Sequence, residues 1–136
     1  MLKIKDIKKI DTSKLNNRCK FDIWYAGMIE KSVDELTIKD IYYMLSQKVF
    51  LDIVVPKCWE ELKKNPLVGE NYEGQFLEIL LKALKENKQY IDKKDYEEFM
   101  EVVGNYPFEF EDDIEKKEYE SKLEELSFFI QINNHS

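Results

Sequence analysis

The sequence predicts an all-α fold: a compact single domain, residues 1–136, of about five or six helices. Three observations predict it. Apolar residues recur at three- and four-residue steps along most of the chain. Helix-start and helix-stop residues punctuate those runs. A length of 136 residues with 43% hydrophobic and 13% aromatic content is enough to fill a core.

The first strong run is "SVDELTIKDIYYMLSQKVFLDIVV". It offers two overlapping starts: Ser32 with Glu35 in capping-box spacing, and Thr37 as an N-cap with acidic Asp40 three residues on. Ile38, Ile41, Tyr42, Leu45, Val49 and Ile53 make its apolar stripe. The expected end is Val54–Val55, because Pro56 disfavours helical geometry in the residue before it. Pro56 then opens "PKCWEELKKN", with Trp59 and Leu62 inward, until Asn65–Pro66 stops it. "FLEILLKALKEN" presents Phe76, Leu77, Leu80, Leu81 and Leu84 on a wide apolar face. "DKKDYEEFMEVVGN" carries Asp92 as N-cap and Gly104 as stop. In "EDDIEKKEYESKLEELSFFI", Ile114, Leu123, Leu126 and Ile130 share a face, behind an acidic first turn that suits the helix dipole. "FEFE" and "FFIQIN" also alternate as one short strand pair would. Ile4, Ile7 and Ile10 fit either a short amphipathic helix or a loosely docked basic arm over residues 1–20. The expected core is Ile41, Leu45, Val49, Trp59, Leu77, Leu80, Leu84, Phe99 and Val103.

Charge narrows the function. The net charge is −7, but residues 1–20 hold seven basic and two acidic side chains, whereas residues 108–136 hold three basic and nine acidic ones. An acidic bulk argues against a nucleic-acid partner, which needs a basic face to displace counterions. It suits a basic protein partner, because complementary fields speed encounter. No apolar run reaches the roughly 20 residues that span a bilayer, and residues 1–20 lack a signal-peptide core, so a cytoplasmic location is expected. Cys19 and Cys58 read as free thiols.

Catalytic groups are scarce. The only histidine, His135, is next to last in the chain, which disfavours a Ser/His/Asp or Cys/His arrangement. No zinc cluster occurs, and Glu111, Asp112 and Asp113 lack the alternating ligands and turn glycine of a calcium loop. The expectation is a binding protein with no enzymatic activity, cofactor or metal. In "NPLVGENYEGQ", Gly69 and Gly74 suggest a phosphate loop, but Glu70 and Glu73 would repel phosphate. The glycines read instead as positive-φ positions at a corner between two helices.

The order of elements over residues 33–84 resembles the contact-dependent growth inhibition (CDI) immunity proteins of the CdiI type. The resemblance rests on "DELT" at Asp34–Thr37 with Asp40, Gln47, "FLD" at Phe50–Asp52, Pro56, Asn65–Pro66, Gly69–Glu70, and Tyr72–Gly74 before a leucine-rich helix. It departs at Ser46, where the pattern has arginine, and at Gln75, where it has an acid. The resemblance implies a small helical protein that binds the C-terminal toxin domain of a CDI effector and blocks its active site or substrate path. The motif residues Thr37, Asp40, Pro56, Asn65, Pro66, Gly69, Glu70 and Gly74 read as architectural. Toxin contact is therefore expected in the acidic, aromatic stretch after Pro107: Phe108, Glu109, Phe110, Glu111, Asp112, Asp113, Glu115 and Tyr119. Tyr106 adds a further aromatic there. A nuclease toxin, with its basic substrate cleft, is the expected partner; an acidic helical adaptor without a toxin partner is the alternative.

Overall fold

The computed structural model describes residues 1–133 and holds seven α-helices with no sheet among them; His135 lies outside the described residues. The expected strand pair is absent there. "FEFE" is irregular, "FFIQIN" lies in the last helix, and the one β-bridge among the described residues joins Lys3 and Ser32. The chain divides into two compact units, Met1–Asp40 and the remainder from Ile41.

In the first unit, α1 (Ile4–Ile7) is a single turn and α2 spans Lys20–Met28. The N-terminal turn is tied down: the Ile4 and Lys5 amides donate to the Lys31 and Ile29 carbonyls at 2.8 and 2.9 Å. Lys3 and Lys5 also pair with Glu30 at 3.2 and 2.8 Å. Ile4 is buried, Ile10 half-buried and Ile7 exposed, so the three isoleucines do not form one face. Of the two starts read after residue 31, Ser32 opens only a 3-10 turn at Val33–Glu35. The Thr37 start opens α3 (Ile38–Gln47). The Asp40 amide donates to Thr37 Oγ1 at 3.1 Å, and Thr37 N–H donates to Asp40 Oδ2 at 3.0 Å, a reciprocal capping box.

The break that the sequence places before Pro56 falls earlier. After α3 the chain turns through Lys48 (φ 56°) and Phe50 (φ 48°), and α4 runs from Leu51 to Lys64 with Pro56 inside it. Val49 N–H reaches the Met44 carbonyl at 2.8 Å and Lys48 N–H that of Leu45 at 3.3 Å. This is the Schellman pattern, with lysine where glycine usually stands. Pro56 costs α4 one backbone rung but does not end it, because Val54, Val55, Cys58, Trp59 and Leu62 are all buried around it. Helix α5 (Gln75–Glu86) buries Phe76, Leu77, Leu80, Leu81, Ala83 and Leu84, and α6 (Lys93–Asn105) starts at Asp92, whose side chain accepts from Asp95 N–H at 3.0 Å. Gly104 is within α6 and does not stop it. Helix α7 is Asp113–Asn133.

Trp59 and Phe99 meet at 5.6 Å between ring centroids, joining α4 to α6. Lys63 reinforces that pair through Asp95 at 2.7 Å and Glu98 at 3.0 Å, and Tyr96 Oη donates to Ser127 Oγ at 2.7 Å on α7. Of the expected core, Val49 and Val103 are half-buried and the other seven buried. Ile114 is 68% exposed and Leu123 half-buried; the buried side chains of α7 are Tyr119, Leu126, Phe129 and Ile130.

Candidate functional site

The corner between α4 and α5 organises the second unit. Gly74 holds φ 86° and caps α5, as its left-handed geometry requires of glycine. Gly69 is outside the positive-φ region, and its reason is space: a Cβ there would lie 2.0 Å from the Tyr72 carbonyl oxygen and 2.8 Å from Gln75 Cβ. The buried Gln75 side chain accepts from Glu70 N–H at 2.8 Å and Asn71 N–H at 2.9 Å. Gly74 N–H donates to the Leu67 carbonyl at 2.8 Å and Phe76 N–H to that of Val68 at 3.0 Å. These amides are committed within the loop, so they form no cradle for phosphate. An acceptor oxygen is what position 75 needs, and the glutamine amide supplies it in place of an acid.

The C-terminal acidic segment lies on this corner. Tyr119 of α7 is buried, and its hydroxyl donates to the Pro66 carbonyl at 2.7 Å. Phe108 and Phe110 stack at 5.5 Å with planes 6° apart, and each leans on Tyr119 at 5.4 and 5.9 Å. Tyr106 packs on Phe108 at 4.8 Å and donates its hydroxyl to Asn65 Oδ1 at 3.2 Å. Both phenylalanines are therefore half-buried, while Glu109, Glu111, Asp112, Asp113 and Glu115 are exposed. Two of these carboxylates hold backbone as well: Asp112 accepts from Glu115 N–H at 2.8 Å and Glu115 from Glu111 N–H at 3.3 Å. Their three-residue spacing is the N-terminal signature of α7, legible in "EDDIE".

A cleft of about 640 Å³ opens where the corner and this segment meet. Glu73 and Glu78 line it from one side, and Glu111, Glu115 and Glu118 from the other. Tyr72 and Phe110 supply aromatic walls, and Lys117 and Lys122 are the bases on its rim. Tyr72 is half-exposed and donates to Glu78 at 3.1 Å. Sequence reading missed Tyr72, Glu73, Glu78 and Glu118 as site residues, because only the fold brings residues 72–78 beside residues 110–118. A second cleft of about 540 Å³ has both Ser46 and Gln75 on its lining, together with Lys48, Lys82 and Lys85. Lys48 is paired with Glu86 and Lys85 with Glu125.

Thr37 and Asp40 belong to the first unit. Asp40 is 4% exposed and pairs with Lys31 at 2.6 Å while accepting the Trp24 indole N–H at 2.9 Å. Burial pushes its carboxyl up, but Lys31, the Thr37 amide and Trp24 outweigh that and hold it below the usual carboxylate range. Pro56 is on the exposed side of α4. Burial, helped by Glu61, pushes the Cys58 thiol far up, which leaves it inert as a nucleophile near neutrality. No three or more His, Cys, Asp or Glu side chains among the described residues are grouped to hold a metal, and no described helix is long and apolar enough to cross a membrane.

No curated protein and no solved structure matches the chain. A family model does: that of the CDI immunity proteins matches residues 6–98, taking in the Thr37–Asp40 cap, the α3–α4 break and the whole glycine corner. The match covers more than half of the chain, and the chain belongs to the family of CDI immunity proteins.

Proposed function

We propose that this protein acts in the cytoplasm by binding the toxin domain of its cognate CDI effector, without catalysis of its own. The toxin is a nuclease, and the acidic cleft between the corner and α7 covers its basic substrate path. The observation that carries this reading is the convergence of Glu73 and Glu78 with Glu111, Glu115 and Glu118 around Tyr72 and Phe110. Carboxylates spaced along a face can take the place of a phosphate backbone against lysine and arginine, and aromatic walls supply the apolar anchors on which affinity usually depends. Phe108 and the rest of the segment lie outside the residues matched by the family model. A corner inside the matched residues and an acidic segment outside them fit a scaffold that carries a partner-specific surface.

The test is a hydrogen-exchange footprint of the purified complex, with growth of toxin-expressing cells as the biological readout. Slowed exchange at residues 70–78 and 106–118, in a complex that protects cells, supports the proposal. Slowed exchange confined to other surfaces removes the cleft from the interface.

A further inference from the structure

We propose that Tyr119 is a positioning residue: it fixes the acidic segment on the corner so that the interface exists before the toxin arrives. This rests on the toxin-binding reading above and changes the role expected of Tyr119 from contact to strut.

Residues 106–112 carry no helix or strand, and their one backbone-to-backbone bond within the segment runs from Phe108 N–H to the Tyr106 carbonyl at 3.0 Å. Side chains therefore set the path. Tyr119 is the centre of them: its ring carries Phe108 and Phe110, and its hydroxyl anchors all three to Pro66, 53 residues away in sequence. At 6% exposure it has little surface left for a partner. Gly74 makes room for it, since a Cβ there would stand 3.3 Å from the Tyr119 ring. Burial, with Tyr106 adding to it, pushes the phenol far above its ordinary range, so it stays a hydrogen-bond donor at any working pH. A segment ordered in advance spends less of its interaction energy on ordering when the partner binds.

The experiment compares wild type, Tyr119→Phe and Glu111→Lys by amide exchange in the free protein and by binding kinetics with the purified toxin domain. Tyr119→Phe keeps the ring and removes the anchor. Unchanged helical circular dichroism, exchange over residues 106–112 faster by about fivefold or more, and affinity lower by about tenfold are expected. Affinity lost with exchange unchanged would make Tyr119 a direct contact, and wild-type values in both would make it inert; either overturns the proposal. Should Tyr119→Phe lose helical signal, Phe108→Leu replaces it in the exchange measurement. That variant withdraws one ring from Tyr119, and unchanged exchange there overturns the proposal too. If Glu111→Lys leaves binding untouched, the toxin-binding reading itself fails; if it weakens binding while Tyr119→Phe does not, only the strut fails.

Discussion

Gly69 and Gly74 differ by five positions and by the reason each is glycine. At Gly74 the backbone is left-handed, which costs another residue about 1–2 kcal/mol. At Gly69 a side chain would collide with the Tyr72 carbonyl at 2.0 Å, a contact that only backbone movement relieves. Gly69→Ala should therefore be the more damaging, losing about 2 kcal/mol or more against about 1–2 for Gly74→Ala. Urea midpoints of the two variants rank them. Asp40 makes a second prediction at this scale. Its folded pKa is depressed, so its contribution is fully present above the unfolded value of about 4 and is lost as pH falls through the lower folded value. Asp40→Asn should flatten the acid side of the stability profile below about pH 4 and leave its slope near neutrality unchanged. A variant that retains the wild-type acid slope assigns that slope to other carboxylates.

The elements whose signals are local were legible in the sequence. Thr37 with Asp40, Asp92 with Asp95, and the apolar stripe of α5 each encode their own start or face, and each stands where the spacing puts it. The α3–α4 break was not legible. It is made by Lys48 and Phe50 in left-handed geometry, residue types that give no such warning, between the buried Met44 and Leu45 on one side and Leu51 on the other. Pro56 misled for the complementary reason: a proline rung is lost locally, while five buried neighbours keep α4 continuous. Residues 21–31 carry no clear stripe, and α2 went unread with them. The corner was readable as a corner, but the cleft required knowing that α7 returns to it. Pro56→Ala tests the balance in α4. Restoring the rung is worth up to about 3 kcal/mol, offset by about 0.4–1 from a freer unfolded chain, so stability should rise by about 1–2 kcal/mol. A fall in thermal midpoint would mean that α4 depends on the bend proline imposes.

Over the whole molecule, charge is distributed by sequence and then concentrated by folding. Nine acids and three bases follow Pro107, and the cleft gathers part of that surplus beside Glu73 and Glu78. A field of this kind acts mainly on the rate of encounter and fades as the Debye length shrinks from about 10 Å at 0.1 M salt toward 3 Å at 1 M. Asp112 and Glu115 are poor positions for probing it, since both hold the start of α7. Glu109, Glu111 and Glu118 are exposed, and none of their carboxylates caps that helix. Whether this acidic surface meets the toxin is therefore read from stopped-flow association of the purified protein with its toxin domain at about 50 and 500 mM salt, for wild type and for the triple variant Glu109→Lys, Glu111→Lys, Glu118→Lys. Wild-type association should be slowed about tenfold or more by salt, and the variant, with intact helical signal, should be slow at low salt and nearly indifferent to salt. A correctly folded variant that associates at the wild-type rate, with the wild-type salt dependence, would contradict that contact.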